Sequence, residues 1–216
     1  WQSQLQGLGV FVRSSSNSED LPNFSGAGLY TTVPNVRSAT DLAAAVRKVW
    51  ASVYNFEAWE ARQAAGIDDA QVMMSVLVQK AVDSSASGVM ITRDPFDASH
   101  RYMSYIAAKR GIGIRVVEGR RVAEQILYSS RSKAVQVLNR SQDDVALQLD
   151  DRGGVREVAV APGRAVLSDA LVQRLARAGA GIKQRFGGKD QDIEWAVQGD
   201  QLIILQSRPF ISAPQR

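Results

Sequence analysis

Gln191-Asp192-Ile193-Glu194-Trp195-Ala196-Val197-Gln198-Gly199-Asp200-Gln201-Leu202-Ile203-Ile204-Leu205-Gln206-Ser207-Arg208 reads as two strands joined by a tight turn. Gly199-Asp200 is a hairpin turn signal, and the runs on either side, Gln191 to Val197 and Gln201 to Ser207, carry strand-forming residues. Residues i and i+2 of a strand point the same way. Asp192 and Glu194 therefore share one face, and Gln206 and Arg208 share one on the partner strand. The two-residue turn sets Glu194 opposite Leu205 or Gln206. Carboxylate, carboxamide and guanidinium converge on one patch. Hard oxygen ligands suit Mg²⁺, and a guanidinium beside them suits a phosphate. That combination is what phosphoryl transfer needs, because the protein mainly positions groups and neutralises charge. The plain alternative is an edge hairpin with a solvated Asp-Glu-Arg face, whose ion pairs stabilise little.

The rest of the chain sets this hairpin in an α+β frame. Leu8 to Val12 reads as a buried strand and Arg13 to Ala27 as a Ser- and Gly-rich loop. Gly28 to Val33 reads as a second strand. Asp41 to Ala64 has helical periodicity, with Asp41 as its N-cap and Gly66 as its stop. Val72 to Val82, Gly88 to Thr92, Arg101 to Ala108, Gln125 to Leu138 and Val155 to Val160 read as strands. Gly111-Ile112-Gly113 reads as a turn. Ser168 to Phe186 reads as a helix capped by Ser168 and stopped by Gly187-Gly188. Strands in pairs with helices between them predict mixed, largely antiparallel sheets with flanking helices. Residues 1–216 are taken as one nucleotide-binding domain, with the polar stretch from Asn139 to Gly154 as an exposed loop or subdomain edge.

Composition removes several classes of function. The 216 residues contain no cysteine and one histidine, which excludes disulfides, thiol nucleophiles and His-built metal clusters. No apolar run approaches the roughly 18 residues of a membrane span, and no signal-peptide pattern opens the chain. A cytoplasmic protein without membrane partners is expected. The formal net charge is +4. The basic residues are scattered among acidic ones, so no nucleic-acid partner is expected; a phosphate site accounts for the same excess. The chain opens at Trp1 and enters a strand almost at once, so a domain truncated at its N-terminus is expected.

Two further segments carry candidate chemistry. After a strand, Arg13-Ser14-Ser15-Ser16-Asn17-Ser18 offers amides and hydroxyls suited to phosphate oxygens, although it lacks a P-loop Gly-Lys-Ser/Thr; an ordinary polar loop reads as well. Gln79-Lys80 closes a strand whose free backbone groups suit an adenine edge. His100 reads as a loop residue.

Taken together the chain resembles the ATP-binding domain of the pyruvate-phosphate dikinase and phosphoenolpyruvate synthase family. The resembling motifs are Val12-Arg13-Ser14-Ser15-Ser16-Asn17-Ser18-Glu19-Asp20-Leu21-Pro22, Phe24-Ser25-Gly26-Ala27-Gly28, Val49-Trp50-Ala51-Ser52-Val53-Tyr54, Val76-Leu77-Val78-Gln79, Ser87-Gly88-Val89-Met90-Ile91-Thr92, Gln191-Asp192-Ile193-Glu194-Trp195 and Leu205-Gln206-Ser207-Arg208-Pro209. The resemblance implies an ATP-grasp fold with ATP between subdomains. It implies that Arg13 and Arg208 act on the phosphates, that Gly28, Thr32 and Val33 line the nucleotide pocket, and that Gln79 faces the adenine. It also implies that Glu194 and Gln206 hold Mg²⁺ with Asp192 beside them. The implied reaction moves the ATP β-phosphoryl to a histidine on a carrier domain of the parent chain and then to pyruvate or another small acceptor. Rifampicin phosphotransferases and glucan water dikinases share the domain, so their acceptors are the alternatives.

Three departures from the family pattern are visible. No lysine segment precedes Arg13, no Thr-Ser-His segment is present, and Ile114 stands where Gly111-Ile112-Gly113-Ile114-Arg115-Val116-Val117-Glu118-Gly119 would usually carry an acid. These departures motivate a third reading, a degenerate nucleotide- or partner-binding module without turnover. The 216 residues by themselves are expected to be inactive.

Overall fold

The structure, a computed structural model, describes residues 9–21, 24–26, 28–114 and 123–211, leaving aside the side chains of Asp20 and Ser25. Leu8, Pro22, Ala27 and the stretch 115–119 of the glycine motif lie outside the described residues. The chain forms two compact units, Trp1–Ala81 with Leu149–Arg156, and Val82–Gln148 with Glu157–Arg216.

The first unit is built on strand β1 (Val10–Ser16). A short hairpin, β2 (Asp20–Leu21) and β3 (Phe24–Ser25), follows, then β4 (Val33–Val36). Helices α1 (Ala39–Ala51) and α2 (Phe56–Ala64) lead to β5 (Met74–Lys80). The sheet order is β4-β1-β5, antiparallel throughout. Val10, Val12, Val36, Ala45 and Val49 are buried together, with Met74, Val76 and Val78 packed on them. Alternation along β1 and β5 thus sends one face to α1 and leaves Phe11, Arg13, Leu77 and Gln79 on the other.

Three expectations in this unit are corrected. Gly28 to Val33 is not a strand: Gly28 adopts φ 74°, Leu29 N–H closes a turn onto Gly26 at 3.1 Å, and pairing starts at Val33. The helix does not begin at Asp41. Ser38 is the N-cap, its Oγ accepting from Asp41 N–H at 3.0 Å, so Asp41 is the third helical residue. Nor does it run unbroken to Ala64. Ser52–Tyr54 tightens to a 3₁₀ turn and Asn55 swings to ψ 138°, after Ser52 Oγ donates to Val49 O at 2.6 Å.

The second unit holds a six-stranded antiparallel sheet. Its first four strands in sequence are β6 (Ala86–Ile91), β7 (Met103–Arg110), β8 (Glu124–Ser129) and β9 (Val135–Asn139). The hairpin of β10 (Val145–Leu149) and β11 (Val155–Ala159) follows, then α3 (Asp169–Arg185), β12 (Gln191–Gln198) and β13 (Gln201–Pro209). The sheet order is β13-β12-β6-β7-β8-β9. Helix α3 covers one face, burying Val172 and Leu175 with Met90, Ile106, Ile126, Ile193, Trp195 and Val197. Gly179 allows the close approach, since a Cβ there would stand 2.7 Å from the Met90 sulfur.

Gln125 to Leu138, expected as one strand, is two. Lys133 at φ 62° makes the turn between β8 and β9, and the polar run Ser129-Ser130-Arg131-Ser132 cannot bury a strand face. The stretch from Asn139 to Gly154 is not all loop, because Val145-Ala146-Leu147 enters β10 with Ala146 buried. Gly111 is more than a turn: at φ 71° it bridges to Leu147, whose carbonyl oxygen would lie 2.2 Å from any Cβ. The fold is therefore mixed α/β with antiparallel sheets and few helices.

Candidate functional site

The predicted residues fall into two groups, one in each unit. Arg13 and Gln79 in the first unit, and Asp192, Glu194, Gln206 and Arg208 in the second, lie on the sheet face turned away from the covering helix; Val33 packs on the helix-covered side.

In the second unit the hairpin turn at Gly199-Asp200 pairs Gln198 with Gln201. Register holds to Trp195↔Ile204, where a bulge admits Leu205 unpaired, so Glu194 meets Gln206 and Asp192 meets Arg208. Ile193, Trp195 and Val197 point into the core, which places Asp192 and Glu194 on the opposite face. Arg208 Nε and Nη2 both donate to Asp192 Oδ2, at 3.0 and 2.8 Å. The second carboxylate oxygen, Oδ1, is buried without a hydrogen-bond partner among the described residues. Glu194 and Gln206 each make further contacts.

The neighbouring strands extend this face. Asp192 is followed across the sheet by Ile91, Tyr105 and Leu127, and Glu194 by Val89, Ala107 and Gln125. Tyr105 carries Phe96 edge-on at 5.3 Å. Burial pushes its phenol pKa up, against a smaller opposing effect of the Gln125 hydrogen bond. Gly88 is required below the patch, because a Cβ would lie 1.9 Å from Ala107 O and 3.0 Å from Trp195 Cζ2.

The donor set fits a hard cation. Two carboxylates and a carboxamide supply oxygens, and Asp192 Oδ1 is an orphaned anionic acceptor. Among the described residues no three His, Cys, Asp or Glu side chains group to hold a metal alone. A Mg²⁺ site that completes its shell with substrate phosphates needs no such group.

In the first unit Arg13 lies inside β1 rather than at the head of a loop, since the strand pairs with β5 as far as Ser16↔Met74. Its Nη1 donates to Gln79 Oε1 at 3.3 Å, so these two predicted residues meet. Several of the loop groups assigned to phosphate are engaged internally. Glu19 accepts from Ser14 Oγ at 3.0 Å and from Ser16 N–H at 2.9 Å. Ser16 Oγ and Ser18 Oγ lie 2.9 Å apart, and Ser18 Oγ is 2.9 Å from Tyr30 OH. Gly28 and Thr32 lie before β4, and Val33 opens it opposite Val12.

Sequence reasoning missed the groups that hold this loop. Arg62, fully buried, donates to Tyr30 OH at 3.5 Å, Asp69 Oδ1 at 2.6 Å and Val53 O at 2.8 Å. An arginine at the end of an amphipathic helix reads as solvated, and only Asp69 seven residues on hinted at a partner. Glu124, also fully buried, accepts from Arg140 Nη1 at 2.6 Å and from Leu167 N–H at 3.0 Å. No signal in the sequence marked it.

Residues 2–216 match the family described as Pyruvate phosphate dikinase, AMP/ATP-binding domain. The chain belongs to that family, a class of nucleotide-binding domains for which ATP is the supported ligand. It is 34% identical, over 93% of its own length and 27% of the relative's, to a probable phosphoenolpyruvate synthase of Archaeoglobus fulgidus. It is 35% identical, over 92% of its length and 23% of the relative's, to a rifampicin phosphotransferase of Streptomyces sviceus. A rifampicin phosphotransferase of Bacillus cereus is 33% identical over the same shares, 92% and 23%. The chain thus spans about a quarter of the length of these relatives. Among the described residues no helix is long and apolar enough to cross a membrane.

Proposed function

We propose that this chain is the Mg-ATP-binding part of a cytoplasmic dikinase of the phosphoenolpyruvate synthase type, built as an ATP-grasp domain. The observation that carries the reading is the register of the last hairpin, which sets Glu194 against Gln206 and Asp192 against Arg208 on the sheet face opposite α3. Glu194 and Gln206 hold Mg²⁺, with Asp192 Oδ1 beside them. The bound cation supplies charge neutralisation on the phosphate oxygens. Arg208, oriented by Asp192, brings guanidinium hydrogens to the terminal phosphates. Arg13, steadied by Gln79, is a second phosphate ligand. Gly28, Thr32 and Val33 line the nucleotide pocket, and Gln79 lies at the adenine. The β-phosphoryl group passes to a histidine on a carrier domain of the parent chain and from it to pyruvate, the γ-phosphoryl group passes to water as inorganic phosphate, and AMP is left.

The second reading keeps the nucleotide chemistry and changes the acceptor to rifampicin. The comparable identity to the Streptomyces sviceus relative favours it. Product analysis on the full-length parent protein separates the two. AMP formation from ATP that depends on pyruvate supports the first reading, and AMP formation that depends on rifampicin supports the second. ADP as the sole nucleotide product contradicts both.

A further inference from the structure

A cavity of about 380 Å³ lies within the first unit, lined by β4, by α1 and by residues 152–154 at the tip of the β10–β11 hairpin. It is a built feature. Asn35, buried and at φ 48°, donates from Nδ2 to Asp150 O and Gly154 O, both at 2.7 Å. Gly154 N–H returns to Asn35 O at 3.2 Å. Gly153 and Gly154 take φ of 102° and 70°, which few other residues tolerate. The hairpin tip is thereby fastened to β4, and the concavity exists before any ligand arrives.

Its charge is one-sided. Arg37, Lys48 and Arg152 line it against a single carboxylate, Asp41. Asp41 already accepts from Ser38 Oγ at 2.6 Å. Arg37 spends only its Nε, on Asn35 Oδ1 at 3.3 Å. Its terminal nitrogens, Lys48 Nζ and the Arg152 guanidinium make no hydrogen bond or ion pair among the described residues. Three cations with no partner among the described residues, set on a concave surface, focus positive potential, and arginine forks match phosphate oxygens. Val33 and Ala45 give the cavity an apolar wall. Of the residues assigned to ATP only Val33 takes part.

We propose that this cavity is a second anion site, sharing only Val33 with the residues assigned to ATP, that takes a small organic phosphate. The phosphoryl group sits among Arg37, Lys48 and Arg152, and the short carbon body lies on Val33 and Ala45.

The test is an amide NMR titration of the chain with glycerol 3-phosphate at constant ionic strength. Saturable shifts at Arg37, Gly153 and Gly154 are expected. The Lys48→Ala/Arg152→Ala variant should weaken them by about tenfold or more, and Arg13→Ala should leave them in place. All three cations are solvent-exposed, so the variants keep the fold. Shifts reproduced by sodium chloride, or saturable shifts unchanged in the double variant, overturn the proposal. Shifts lost in Arg13→Ala show that the phosphate probes the ATP site and also overturn it. Tighter binding of a polyglutamate peptide than of glycerol 3-phosphate at these amides overturns the ligand class.

Discussion

Arg208 donates from both Nε and Nη2 to one oxygen of Asp192, Oδ2, and leaves Oδ1 buried with no hydrogen-bond partner among the described residues. A guanidinium that faced the carboxylate fork-on would use both oxygens. The side-on arrangement leaves one anionic oxygen for another ligand.

Asp192→Asn tests that division of labour. The amide keeps the shape but removes the charge that orients Arg208 and attracts a cation. Loss of a charge-assisted contact costs about 2 kcal/mol. Calorimetry should find Mg-ATP affinity reduced by roughly tenfold or more, with a smaller change when Mg²⁺ is left out. An equal loss with and without Mg²⁺ assigns Asp192 to Arg208 alone.

Gly88→Ala tests the packing beneath the patch. The new methyl meets Ala107 O and the Trp195 ring across the centre of the sheet. Overpacking of this kind costs about 1–3 kcal/mol, and for a chain of this size each kcal/mol lowers the melting temperature by roughly 2–4 °C. Thermal unfolding should show a fall of several degrees. An unchanged midpoint means that the strands around Trp195 are looser than described.

Glu124→Gln tests the buried carboxylate of β8. Its oxygens accept from Arg140 and from the backbone N–H groups of Val166 and Leu167 just ahead of α3. An amide satisfies these donors less well and removes the charge that Arg140 faces. Arg140 is two-fifths exposed, so water takes up part of its charge; weakening charge-assisted hydrogen bonds at the buried end costs about 1.5–3 kcal/mol. Denaturant unfolding measures it, and a loss under about 1 kcal/mol contradicts the role.

How much of this was visible beforehand differs by residue. Gly199-Asp200 marks its hairpin because few residues suit a tight turn, and the alternation of Ile193, Trp195 and Val197 fixes which face holds Asp192 and Glu194. The bulge at Leu205, which chooses Gln206 over Leu205 as the partner of Glu194, follows from pairing along the whole strand and leaves no local mark. The break at Ser52–Asn55 is hidden because Val53 continues the helical periodicity. Arg62 and Glu124 were missed for a shared reason: their burial depends on partners brought in from other elements, and composition makes both residues look solvated.

His100 supplies a pH prediction, since it is the only histidine in the chain. Its Nδ1 lies 2.8 Å from the buried Asp94 and its Nε2 3.4 Å from Asp97. The Asp94 hydrogen bond, helped by the Asp97 charge, raises its pKa above the usual 6.5. A group raised in the folded state stabilises fully below its unfolded pKa and loses that contribution as pH rises through the folded value. The turn from Asp94 to His100 should therefore be tighter at acidic pH. The imidazole NMR titration should have its midpoint above 6.5 and fall back in Asp94→Asn; a midpoint at or below 6.5 contradicts the contact.

The central claim is tested most directly by calorimetric binding of ATP to the full-length parent protein, with and without Mg²⁺, in Glu194→Ala and Arg208→Ala. Glu194→Ala should abolish the enhancement by Mg²⁺. Arg208→Ala should weaken ATP under both conditions, by about 2 kcal/mol. Nucleotide affinity unchanged in both variants would contradict the assignment of this hairpin face to Mg-ATP.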